Sequence, residues 1–137
     1  KEKQDWIYTH REKALAAAEQ KAANRLTEAE RKAAVKRAAQ MLAEKTAHFA
    51  KEMGVTYGRI TIREQKTRWG SCSSAGNLNY NWKLVLMPGR VMDYVVIHEL
   101  AHRKEMNHSA RFYAVVAQQM PDYKVWQSWL KEHGREY

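Results

Sequence analysis

The chain has 137 residues, the size of one ordinary domain, and its 45% hydrophobic content can fill a core, which excludes a chain that is disordered throughout. Cys72 is the single cysteine, so no intrachain disulfide forms, as suits a reducing, cytoplasmic setting; the longest apolar run, Leu84–Met87, is far too short to span a bilayer, so no membrane partner is expected. Lys and Arg outnumber Asp and Glu by 24 to 15, and the net charge of +9 suits nucleic acid, nucleotides, anionic lipid or acidic proteins without choosing among them.

The chain opens at Lys1 rather than at an initiator Met, as a trimmed N-terminus would. Residues 10–53 are rich in Ala, Glu, Lys and Arg and hold neither Pro nor Gly, a strongly helical composition. Two helices are expected, over about 3–24 and about 28–52. Thr27 and Glu30 form a capping box for the second, and Gly54 closes it. Leu42, Phe49 and Met53, backed by Ala38 and Ala39, give it a core face. The first helix has only Trp6, Ile7 and Leu15 as apolar weight, so residues 1–27 read as a loosely packed helical arm and 28–137 as the domain proper.

From Val55 the period changes. Tyr57–Arg63 alternates and is rich in β-branched residues, as a strand does; Arg68–Cys72 is a second short strand; Ser73–Gly76 is a turn; and Asn77–Asn81 is a third strand. Trp82–Met87 fits an extended segment or a helical turn equally well. Pro88 suits a helix start, and 90–104 reads as a helix with Val91, Tyr94, Val95, Ile97 and Leu100 apolar. Ser109 caps a helix to about 119, and Pro121-Asp122 opens a last one that ends near Gly134. Helices, a small sheet, then helices again make an α+β domain.

His98-Glu99-Leu100-Ala101-His102 is an H-E-x-x-H motif. Residues four apart share a helix face, so both imidazoles reach one ion, and zinc takes such nitrogens at about 2.0–2.1 Å. Glu99, beside the first histidine, can take a proton from water at the ion and hand it to a leaving group. Helical histidines also occur as ordinary core residues. Here, however, Glu99 follows Tyr94-Val95-Val96-Ile97, where a buried carboxylate is costly without a task. A third ligand is needed. A continuous helix would carry His108 about 9 Å beyond His102, so the chain must turn back after about Lys104, with Asn107 helping the turn. His108 then sits just before the Ser109 cap. Metzincins share this ligand spacing but place Gly where this chain has Glu105, itself the chief rival as a ligand. His10, His48 and His133 read as surface residues.

With these residues in view, the sequence resembles the YgjP-like zinc metallopeptidases, relatives of the SprT-like and WLM-type zincins. The resemblance rests on Lys66–Ser73, Gly76–Asn79, Asp93–His102, Asn107-His108-Ser109 with Phe112, and Pro121-Asp122-Tyr123. It covers roughly residues 30–133. It implies a zincin-like fold, a small three-stranded sheet packed on the active-site helix, with His98, His102 and His108 as zinc ligands and Glu99 as the base. Family members usually begin with a further β-rich segment that this chain lacks, which accords with trimming.

Around the motif, Arg68 reads as an anion-binding side chain or as part of a tight sheet edge, in which Trp69 is core and Gly70 allows close backbone approach. Cys72 reads as a small buried side chain. Asn79, Tyr80 and Asn81 are expected to line the cleft, with Tyr80 or Tyr113 as candidates to steady an oxyanion. The leading function is a zinc-dependent peptidase acting on a peptide or protein substrate. The first alternative is a zinc hydrolase of a nucleotide or other phosphorylated molecule, favoured by Arg68, Lys83, Arg90, Arg103 and Lys104 around the motif. The second is a basic nucleic-acid-associated protein, including a protease recruited to DNA; against it, Glu12, Glu19, Glu28 and Glu30 interrupt the basic helices.

Overall fold

The computed structural model describes residues 22–66 and 68–137. A 3-10 turn over Ala22–Arg25 leads into α1, Glu28–Met53. The capping box forms as expected: the Thr27 hydroxyl accepts the Glu30 N–H at 3.0 Å, and the Glu30 carboxylate accepts the Thr27 N–H at 2.9 Å. Gly54 closes the helix at φ 70°, a left-handed conformation that glycine adopts without penalty. The helix expected over 3–24 lies, except for its last residues, outside the described residues, and those last residues form the 3-10 turn.

The buried face of α1 is Ala34, Ala38, Leu42, Thr46, Ala50 and Met53, one residue per turn. Three alanines in that stripe let the helix backbone approach its neighbours closely. Ala39, expected on this face, is exposed, and Phe49 is only half-buried. The helix packs on a 3-10 turn over Trp82–Leu86, which resolves that ambiguous segment as helical, and on α2.

Three short strands, β1 (Ile60–Arg63), β2 (Gly70–Cys72) and β3 (Leu78–Asn81), form one sheet in the order β1-β3-β2. β1 runs parallel to β3 and β2 antiparallel, with Gly70 opposite Tyr80 and Cys72 opposite Leu78. The buried Asn81 ties down the approach to β2: its amide donates to the carbonyls of Gln65 at 3.0 Å and Arg68 at 3.2 Å. Gly76, at φ 92°, makes the turn between β2 and β3, where a side chain would meet the Arg103 guanidinium at 2.7 Å. Arg103 in turn donates to the carbonyls of Thr56 at 2.8 Å and Ser74 at 3.3 Å, fastening this turn to the end of α2.

The helix α2, Gly89–Ala101, is buried on nearly all sides, as a helix apolar all round must be. Val91, Val96, Ile97 and Leu100 are at most 1% exposed, and each such side chain contributes roughly 1.5–3 kcal/mol by burial. Ser109 caps α3 (Ala110–Gln119), accepting the Phe112 N–H at 3.3 Å, and α4 (Tyr123–His133) follows. Asp122 precedes α4 without a side-chain cap bond; it is engaged instead by Arg90 and the Trp126 indole, each at 3.2 Å. The fold is therefore α+β, with a small mixed sheet against the central helix. Among the described residues no helix is long and apolar enough to cross a membrane.

Candidate active site

The last turn of α2 carries His98, Glu99 and, as its C-cap, His102. The helix ends at Ala101, three residues earlier than its sequence suggests, where the bonding tightens to i→i−3: the Arg103 and Lys104 N–H groups donate to the Leu100 and Ala101 carbonyls, each at 2.9 Å. The Asn107 carbonyl then accepts the Ser109 N–H at 2.8 Å, and this reversal returns His108 to the helix end. The three imidazoles converge: their candidate donor atoms lie within 4.8 Å of one another, the one group of this kind among the described residues. Phe112, fully buried, packs under all three rings, with centroid distances of 4.9 Å to His98, 4.5 Å to His102 and 4.9 Å to His108.

The donor set fits a tetrahedral cation. Two nitrogens each about 2.0–2.1 Å from such an ion lie roughly 3.3 Å apart; His98 Nε2 and His108 Nε2 are 3.2 Å apart. The tautomers agree as well. His102 Nδ1 is 3.2 Å from the Glu105 carbonyl, which can only accept, so Nδ1 carries the proton and Nε2 is left as a donor. His98 Nδ1 lies 3.3 Å from the Tyr94 hydroxyl, and that hydroxyl accepts from Gln127 Nε2 at 3.3 Å. Glu105, the rival ligand, has its carboxylate 4.0 Å from Arg111.

Burial sets the electrostatics. It pushes the His98 imidazole down to about 4, with His102 and His108 adding to the shift, and it also lowers His102. Neutral imidazoles are what a cation requires. Glu99 is 6% exposed, and burial pushes its carboxyl up to about 7, with Arg68 pulling the other way.

The cleft at the histidines has a volume of about 490 Å³. Its floor is α2, and its opposite wall is β2, where Gly70 lies so close that an added Cβ would stand 3.1 Å from Glu99 Cγ and from Val95 Cγ1. The close-approach reading of Gly70 is thus correct. Arg68, Trp69, Ser71, Cys72 and Tyr94 also line the cleft, as do Met106 and Leu130.

Several expectations change. The strand beside the active-site helix is β2, and β3 lies behind it, so Asn79, Tyr80 and Asn81 do not line the cleft. Tyr80 is 1% exposed, its hydroxyl 2.9 Å from Thr46 Oγ1, and burial raises its pKa. Tyr113 stacks on Tyr123 and is not part of the cleft wall. Trp69 is half-buried and faces the cleft rather than serving only as core. Cys72 is likewise half-buried and lines the cleft; burial raises its thiol pKa, which leaves it a poor nucleophile. Tyr94 was legible only as an apolar helix position, yet it stands four residues before His98, the spacing that puts two side chains on one face.

Comparison with known proteins accords with this geometry. No curated protein sequence matches the chain. Two solved structures resemble it in fold: the metallopeptidase zymogen abylysin of Pyrococcus abyssi, with a TM-score of 0.60 and 22% identity over 66% of this chain and 93% of that one, and the metallopeptidase zymogen jannalysin of Methanocaldococcus jannaschii, with a TM-score of 0.51 and 18% identity over 61% of this chain and 90% of that one. The family profile described as "YgjP-like, metallopeptidase domain" matches residues 1–133, and the chain belongs to that family of metal-dependent peptidases.

Proposed function

We propose that the metal of this peptidase is zinc, held by His98, His102 and His108, and that Glu99 is the general base. The observation that supports it is the convergence of three imidazoles within 4.8 Å, with a buried carboxylate from the adjoining residue in the same cleft. Three imidazole nitrogens, with the His98 and His108 Nε2 atoms 3.2 Å apart, favour zinc over the hard cations, which take oxygen ligands. Bound zinc supplies Lewis acidity, polarising the peptide carbonyl and acidifying water at the site. Glu99 takes a proton from the attacking water and passes it to the departing amine, a role that suits a carboxylate lining the cleft beside the histidines. The Glu105 carbonyl holds the His102 ring in the tautomer that leaves Nε2 free for the metal, and the Tyr94 hydroxyl orients the His98 ring through its Nδ1.

The substrate reading is an extended peptide. β2 is an edge strand beside Glu99, and a free sheet edge pairs with extended chains through backbone hydrogen bonds. Two of the cations that suggested nucleotide hydrolysis or a nucleic-acid function are engaged within the fold: Arg90 is shared by Asp93 and Asp122, and Arg103 is spent on two backbone carbonyls. The catalytic unit is 28–137, with 1–27 as an arm, and the lone cysteine fits the cytoplasm. The test is incubation of the zinc-loaded protein with an unbiased peptide library, with Glu99→Gln as the control. The reading requires zinc-dependent cleavage that the control lacks, and an inert wild type would overturn it.

A further inference from the structure

The cleft does not stop at Trp69. Trp69 and Leu130 line it and also line a second cavity of about 260 Å³. The walls of this cavity carry Lys66, Lys83, Lys131 and Arg135 and no acidic side chain; Tyr137 lines it as well. Lys83 is paired with Glu64 at 3.4 Å, and Glu64 is also held by Arg31 and by the Trp82 indole at 3.0 Å. Lys66 and Lys131 have no acidic group within salt-bridge distance among the described residues. Lys66 and Lys131 thus bring two like charges to one concavity without acidic partners, and an entering anion relieves their repulsion.

We propose that this cavity is a side-chain subsite of the peptidase cleft that takes an acidic residue, Asp or Glu, of the substrate, with Lys66 and Lys131 as its charge partners. The proposal rests on the peptidase reading above. Trp69 immediately precedes Gly70, the residue packed against Glu99. A peptide laid along the β2 edge advances about 3.3 Å per residue and alternates its side chains, so a residue within a few positions of the scissile bond reaches past the indole into the cavity. The site is a pocket joined to the cleft rather than a track across the surface, and so it selects one side chain, not a polyanion. Carboxylate recognition by partly exposed lysines weakens with salt, which gives the subsite a second signature.

The test uses quenched fluorescent peptides built on one cleaved sequence, with Asp, Asn or Lys placed in turn at each position on both sides of the scissile bond. The readout is the ratio of kcat/KM for Asp against Asn within each enzyme form, which cancels differences in active fraction. For the wild type the ratio should reach about tenfold at one position and fall as salt is added. In Lys66→Glu/Lys131→Glu it should fall below one, with Lys becoming the preferred residue there; Lys131→Gln, a milder change, should reduce it several-fold. Equal cleavage of Asp and Asn peptides at every position, or a preference that survives in both variants, would overturn the subsite alone. If the zinc-loaded wild type cleaves no peptide at all, the peptidase reading falls and takes the subsite with it.

Discussion

The two ends of α2 treat a buried carboxylate in opposite ways. Near its start, Asp93 is 9% exposed and meets Lys45 at 2.7 Å and Arg90 at 3.2 Å, with Arg90 reaching on to Asp122. Near its end, Glu99 is 6% exposed and has no cation in contact; Arg68 acts on it only through space. The first arrangement satisfies the charge and joins α1, α2 and α4. The second leaves the charge unsatisfied, beside His98 and His102, whose cationic forms burial also disfavours. A helix of this kind tolerates the cost at one end because its middle is almost entirely apolar and shielded. The contrast separates a structural carboxylate from a chemical one by their partners, at nearly equal burial.

The largest expected effect breaks the chemical end. His108→Ala removes one of three donors, so zinc content measured by elemental analysis should fall severalfold or more and peptide hydrolysis should fall with it. Full zinc retention would remove His108 from the site and promote Glu105. A second test sharpens the contrast in the metal-free protein. The Glu99 carboxyl binds its proton more tightly folded, at about 7, than unfolded, near its ordinary value of 4.5. Its contribution to stability is therefore complete below about pH 4.5 and is lost as pH rises through 7, amounting to roughly 3 kcal/mol by pH 8. Glu99→Gln escapes that loss, so its metal-free form should melt well above the metal-free wild type at pH 8 and close to it at pH 4.5. Superimposed melts at both pH values would contradict the assignment.

Changes at the structural end should show the reverse pattern. Asp93→Asn leaves Lys45 and Arg90 without their shared carboxylate, and urea unfolding should show a loss of about 1–3 kcal/mol, tempered by partial exposure of the cations. Activity per folded, zinc-loaded molecule should hold; a large drop in kcat would mean that Asp93 reaches the chemistry. The smallest effect is expected far from both ends. Deletion of residues 1–21 should leave zinc content unchanged and activity within about twofold, since every proposed site residue lies from Lys66 onward. Loss of zinc from that deletion would show that the arm shapes the site.

Much of this was legible in the sequence because it is local. The capping box, the Gly54 cap, the helix carrying His98 and His102, and the Ser109 cap each depend on residues within a turn or so of one another. His108 was legible one step further out, from the need for a chain reversal after about Lys104, although the regular helix already ends at Ala101. What sequence order concealed is the sheet. In β1-β3-β2 the strand flanking the helix is not the last one in the chain, so Asn79–Asn81 were expected in the cleft when they stand behind it. The fate of the cations was hidden for the same reason. Arg90 and Arg103 look available beside the motif, yet their partners, Asp122, Thr56 and Ser74, come from distant segments. Lys131 and Arg135, remote in sequence, are the ones that tertiary packing brings to the cleft's neighbour.

The central claim, that Glu99 performs the proton transfers while the three histidines hold the metal, is tested most directly by peptide hydrolysis at matched zinc content. Wild type and Glu99→Gln are loaded to the same zinc stoichiometry, verified on the samples assayed. The account predicts one zinc per chain in both and a kcat lower by roughly two to four orders of magnitude in the variant. A variant that hydrolyses peptide at the wild-type rate, or one that cannot retain zinc, would contradict it.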